Sequence, residues 1–164
     1  MNEILEDFAK NYRSLTTEEI LSNNNVEIIF KISQLDILLS RIKPSGVYIR
    51  LKSNTFEIFG KEVINEVQYQ FEDVNLNGKL LIFMAHADFD AISINLDNQK
   101  IYFAMQGEDF KVLCNDLVTL FKYFDFLSKK ILENNNIDII ASSKKYLEDN
   151  DFENVEDFIY FFFK

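Results

Sequence analysis

Helices first, a run of meander strands in the middle, then helices again: this order predicts an α+β fold rather than an alternating one. Three observations carry the prediction. Apolar residues recur at helical spacing up to Ile42 and again from Asn115 onward. Between them, strand-like alternation and short turn signals predict an antiparallel meander of about five or six strands. Only four Gly and one Pro occur, so no flexible linker divides the chain. Residues 1–164 therefore read as one domain, with 133–164 as a helical C-terminal extension.

Each element follows from its residues. Asn2 to Tyr12 places Ile4, Leu5, Phe8 and Tyr12 on one helical face. Thr16 or Thr17 can cap a short helix ahead of Glu18 and Glu19. The Asn-rich stretches Ser22–Asn25 and Glu133–Asn136 read as loops. "VEIIFKI", residues 26–32, is open between strand and buried helix, whereas "SQLDILLSRI" aligns Leu35, Leu38, Leu39 and Ile42 as a helix. Pro44 and Gly46 end it.

The period then changes. Val47, Ile49 and Leu51 alternate with Tyr48, Arg50 and Lys52, Ser53–Asn54 turns, and Phe56 and Ile58 resume: a hairpin. "KEVINEVQYQF" returns to helical spacing through Val63, Ile64, Val67 and Phe71, and "NLNG" turns. "KLLIFMAH" is a continuous apolar run, as a central strand covered on both faces requires. "AISINL", "KIYFA" and "FKVL" complete the sheet. A helix follows through Leu117, Leu120, Phe121, Phe124 and Leu127, capped by Asn115 or Asp116, and a closing helix begins at Glu153.

Composition narrows the function classes. Hydrophobic residues make up 48% of the chain, which excludes wholesale disorder. No apolar run reaches the length of a membrane span, and the N-terminus lacks a basic n-region and apolar h-region, so no signal peptide is expected. With a single cysteine there is no internal disulfide, and a cytoplasmic protein is the expectation. A net charge of −10 disfavours nucleic acid as a direct ligand and suits a basic partner.

One further pattern sits in the centre. "GVYIRL…FEIFGKEVINEV", then "KLLIFMAHADFDAISINLDNQKIYFA", then "NDLVTLFKYFDFLS", resembles the SUKH superfamily. The matching pieces are Ile82–Ala85, Ala91–Asp97, Lys100–Phe103 and Asp116–Leu127, within roughly Gly46 to Lys129. The chain departs from that pattern in lacking a Leu-Pro before the second helix, in carrying "ADFD" where Gly-rich residues are usual, and in having Leu117 in place of an aromatic. The resemblance implies a curved antiparallel sheet wrapped by helices. It also implies an immunity protein, which neutralises a toxin, often a nuclease, by binding it, or else a plain interaction scaffold. It supplies no family-wide catalytic residue to carry across, and no cofactor or metal is expected.

The candidate sites are few. His86, Asp88 and Asp90 are the one grouping with an acid–base or divalent-metal look, yet the chain has a single His, short of the three ligands a catalytic zinc takes. A solvated loop between strands is the simpler reading, with a metal-dependent enzyme or small-ligand domain as the alternative. Cys114 precedes a helix start, but Asp109 and Asp116 oppose thiolate formation, and a buried core role is expected. The acids of "LEDNDFENVED" can oppose the dipole of the last helix or face a partner. The expected partner surface comprises Asp88, Asp90, Asp97, Glu108, Asp109, Glu148, Asp149 and Asp151, aimed at a basic protein toxin. Finally, Phe158, Ile159, Phe162 and Phe163 either close the core or support a homodimer through the C-terminal helix.

Overall fold

The computed structural model describes residues 3–4, 7–8, 26–51, 54–71, 78–86, 90–132 and 138–163. Helix α1 is Ser33–Arg41 and leads into the hairpin β1 (Val47–Leu51) and β2 (Asn54–Ile58). Helix α2, Ile64–Val67, tightens into a 3₁₀ turn at Gln68–Phe71. Strands β3 (Leu80–His86), β4 (Ala91–Asn95), β5 (Ile101–Ala104) and β6 (Lys111–Cys114) follow, then helices α3 (Leu117–Leu132), α4 (Ile139–Asp149) and α5 (Val155–Phe163). All strands pair antiparallel in sequence order, giving the expected meander at six strands and an α+β fold.

The two faces of the sheet have different jobs. Register places Ile49, Phe56, Met84, Ile92 and Phe103 on one face, and all are at most 1% exposed. Helix α5 closes over this face. Phe162 stacks on Phe56 with ring centroids 4.7 Å apart, and Phe103 meets Phe158 and Phe161 edge-on at 5.3 and 5.4 Å. Phe161, which the stripe read from the sequence left out, is fully buried, while Tyr160 is 63% exposed. The aromatic side of α5 is thus occupied within the chain. Phe8, helical and fully buried, adds an edge-on contact to Phe121 at 5.6 Å.

Burial of β3 on both faces agrees with its continuous apolar run. The second face is covered differently. A bulge at Phe83 breaks the β3–β4 register between Ile82 and Met84, and β2 pairs β3 only from Met84 on. The backbone of Ile82 then bonds a side chain instead of a strand. Its N–H donates to Gln68 Oε1 and its carbonyl accepts from Gln68 Nε2, both at 2.9 Å. This pins the 3₁₀ turn to the second face. The helix expected over residues 61–71 is accordingly one short helix, Ile64–Val67, followed by this turn.

Residues 26–32 are neither strand nor helix. The buried Asp36 accepts from Ile29 N and Phe30 N through Oδ1, at 3.1 and 2.8 Å, and Ser40 Oγ accepts from Glu27 N at 2.8 Å. Side chains of α1 therefore supply what a ladder would have supplied. Gly60 allows a close backbone approach: a Cβ there would lie 2.1 Å from the Pro44 carbonyl oxygen.

At the other end, Asp116 caps α3 by accepting from Thr119 N at 2.8 Å, and Gln34 of α1 accepts from Val118 N at 3.1 Å. Asp138 caps α4 through Ile140 N and Ala141 N. The segment before the closing helix is thus a full helix, and α5 begins at Val155 rather than Glu153. Leu5, Tyr12, Thr16, Thr17, Ser53, Asp88, the stretches 22–25 and 133–136, and most of "NLNG" lie outside the described residues. Among the described residues, no helix is long and apolar enough to cross a membrane.

Candidate functional site

Two surfaces hold the polar groups with functional prospects. The first is a corner where β6 meets the α4–α5 connection. Glu153 N donates to Leu113 O at 2.8 Å and Asn154 Nδ2 donates to Val112 O at 2.8 Å, so the connection lies along the edge of β6. Asp151 and Asn154 take positive φ to make that corner, and the buried Phe152 anchors it. Two lysines are held between carboxylates there, Lys111 between Glu108 and Asp157 and Lys144 between Glu148 and Glu156, and Lys100 pairs with Glu153 at 3.7 Å. The neighbouring acids raise the pKa of Lys111 and of Lys144, chiefly through the hydrogen bonds that these lysines donate to Asp157 and Glu156. Asp109, Asp149 and Asp151 are exposed and form no ion pair among the described residues. Glu156 and Asp157 also sit in the first turn of α5, where they favour its dipole.

The fold therefore links Glu108 and Glu148 of the expected partner surface through the Lys111 and Lys144 pairs, with Asp109 next to Glu108, Asp151 in the α4–α5 connection, and Asp149 at the end of α4 lining a hollow with Phe126, Lys130, Lys145 and Tyr146. It separates the rest. Asp97 lies in the β4–β5 turn, paired with Lys79 at 2.6 Å. Asp90 is 1% exposed, and its Oδ1 accepts from Gln106 N at 2.9 Å, tethering the β5–β6 connection from inside. A carboxylate in that position is a structural strut, not a surface contact. Asp88 lies outside the described residues.

The His86 grouping changes character as well. His86 N donates to the backbone carbonyl of Asp90 at 2.8 Å, closing the strand pair, and the His86 ring lies 5.4 Å from Phe56. The Asp90 side chain is directed to Gln106 instead. Among the described residues, no three His, Cys, Asp or Glu side chains are grouped to hold a metal ion. Cys114 is a buried free thiol, and burial pushes its pKa far up, the reverse of an activated nucleophile.

The second surface was not visible in the alternation pattern. Register aligns Tyr48, Glu57, Ala85, Ala91 and Ala104 in one row across β1 to β5 on the second face. At about 4.8 Å per strand that row spans about 19 Å. Its three methyl side chains leave a trough, which Phe71 and Gln70 divide into two hollows. One, of about 280 Å³, ends at Met105, Glu108 and Phe110. The other, of about 250 Å³, is lined by Tyr48, Thr55, Glu57, Phe59, Phe71 and His86 among others. Partial burial raises the pKa of Glu57, and a hydrogen bond with Tyr48 opposes the rise.

Compared with known proteins, the chain matches no family model and no curated protein.

Proposed function

We propose that this chain is a non-catalytic protein-binding module of the immunity-protein kind, with a SUKH-like fold, acting in the cytoplasm. It neutralises a basic protein toxin by stoichiometric binding. The observation that carries the reading is the β6–α4–α5 corner, where Asp109, Asp149 and Asp151 stay exposed and unpaired, among the described residues, beside acids already matched to lysines. Such a surface speeds encounter with a basic partner and fixes its register. The resemblance of Ile82–Ala85, Ala91–Asp97, Lys100–Phe103 and Asp116–Leu127 to SUKH proteins supports the same class.

The test is co-purification with the product of the neighbouring gene. The unmodified chain is expected to retain that protein in equal amount and to relieve its toxicity on co-expression. The double variant Asp149→Lys/Asp151→Lys is expected to lose both effects while staying folded. No association with the unmodified chain sinks the proposal.

A further inference from the structure

We infer that the hollow between Tyr48, Glu57 and Phe71 is a receptor for one arginine side chain of a protein partner. The inference rests on the protein-binding reading above and deepens it with a specific anchor.

Its chemistry is selective. Glu57 is half-buried and lines the hollow, and no lysine or arginine lines it among the described residues. Arg50, two positions from Tyr48 on the same face of β1 and paired with Thr55, is exposed and is not among the residues lining the hollow. Phe59, Phe71 and Tyr48 line the same hollow as Glu57, with Thr55, Gln70, Ala85 and His86 completing it. A carboxylate within aromatic walls suits a planar cation: the guanidinium forks onto the oxygens while ring faces and the apolar stem pack together. The volume of about 250 Å³ is roughly eight waters' share of liquid, room for a guanidinium and its stem.

Partial burial disfavours the charge on Glu57, and the hydrogen bond with Tyr48 offsets part of that cost. An incoming guanidinium would repay that cost. The trough also leads by Gln70 and Phe71 to Glu108, a member of the acidic corner. A partner seated on the corner thus has a path for one chain segment toward Glu57. Buried arginine anchors are the kind of contact that dominates binding energy.

The experiment is an amide-shift titration of the full chain with N-acetyl-arginine amide, and with N-acetyl-citrulline amide as its neutral isostere. Saturable shifts are expected at Glu57, Ala85 and His86 with the arginine probe, at least about tenfold weaker with citrulline. Glu57→Gln is expected to weaken arginine to the citrulline level with a well-dispersed spectrum retained. Equal response to both probes, shifts confined to Asp109, Asp149 and Asp151, or no shift at all overturns the inference. The protein-binding reading would survive that result, because it stands or falls on the corner variant and the gene-neighbour partner. Conversely, a missing partner with an intact arginine response sinks the function and keeps the site.

Discussion

Replacing Phe162 by Ala removes the ring that joins α5 to both the sheet and α3. Phe162 is 1% exposed, stacks on Phe56 at 4.7 Å and on Phe124 at 5.8 Å, and contacts Phe158 at 5.5 Å. A buried Phe contributes about 150–250 Å² of apolar surface. At about 25 cal/mol per Å² this is worth roughly 4–6 kcal/mol as an upper estimate. The cavity left behind adds cost and partial collapse removes some, so the observed range for Phe→Ala, about 3–5 kcal/mol, is the expectation. For a chain of this length each kcal/mol moves Tm by about 2–4 °C. Urea unfolding followed by far-UV circular dichroism reads the loss as a lower midpoint at constant slope. Tyr160→Ala is the matched control, since Tyr160 is 63% exposed, and is expected to change stability by no more than about 0.5 kcal/mol. A Phe162→Ala loss below about 1 kcal/mol would refute the docking of α5 on the sheet. A concentration-dependent effect of Tyr160→Ala would instead revive the homodimer through this helix.

Three further outcomes follow from the geometry. Gln68→Leu leaves the Ile82 N–H and carbonyl without their side-chain partner beside the bulge, and is expected to cost about 1–3 kcal/mol in the same urea assay, with faster exchange of the Ile82 amide; an unchanged midpoint contradicts the pin. Glu57 holds its proton more tightly in the folded chain than in the unfolded one, so its contribution to stability is largest at low pH and is lost as pH rises through the raised folded pKa. Glu57→Gln is therefore expected to raise Tm at pH 7 relative to the unmodified chain, and less so at pH 4; the opposite order is inconsistent with a desolvated carboxylate. Cys114 is expected to react with a disulfide reagent only as fast as the chain opens, because the thiol is buried and its pKa is raised; rapid labelling in native buffer contradicts its place in the core.

The strands were legible because apolar runs are separated by short turns at four of the five connections between Val47 and Cys114, and each strand has a partner next to it in sequence. Helix α1 was legible from its own spacing. Residues 26–32 were not, because their conformation depends on Asp36 and Ser40, side chains from the next helix that periodicity does not encode. The acidic corner was half legible. The exposed acids were evident, but their meeting depends on the α4–α5 connection running along β6. Asp90 misled, because a carboxylate at a strand start looks solvated until Gln106 N is found donating to it. The Tyr48–Glu57–Ala85–Ala91–Ala104 row escaped entirely. Each residue is merely one second-face position of its own strand, and only the pairing of five strands aligns them into a row.

The central claim is stoichiometric binding through the acidic corner, and calorimetric titration with the product of the neighbouring gene tests it most directly. The predicted result is one chain per partner, with affinity falling as salt rises and falling further for Asp149→Lys/Asp151→Lys. The absence of binding heat, or a partner inactivated by far less than one equivalent of the chain, would contradict it.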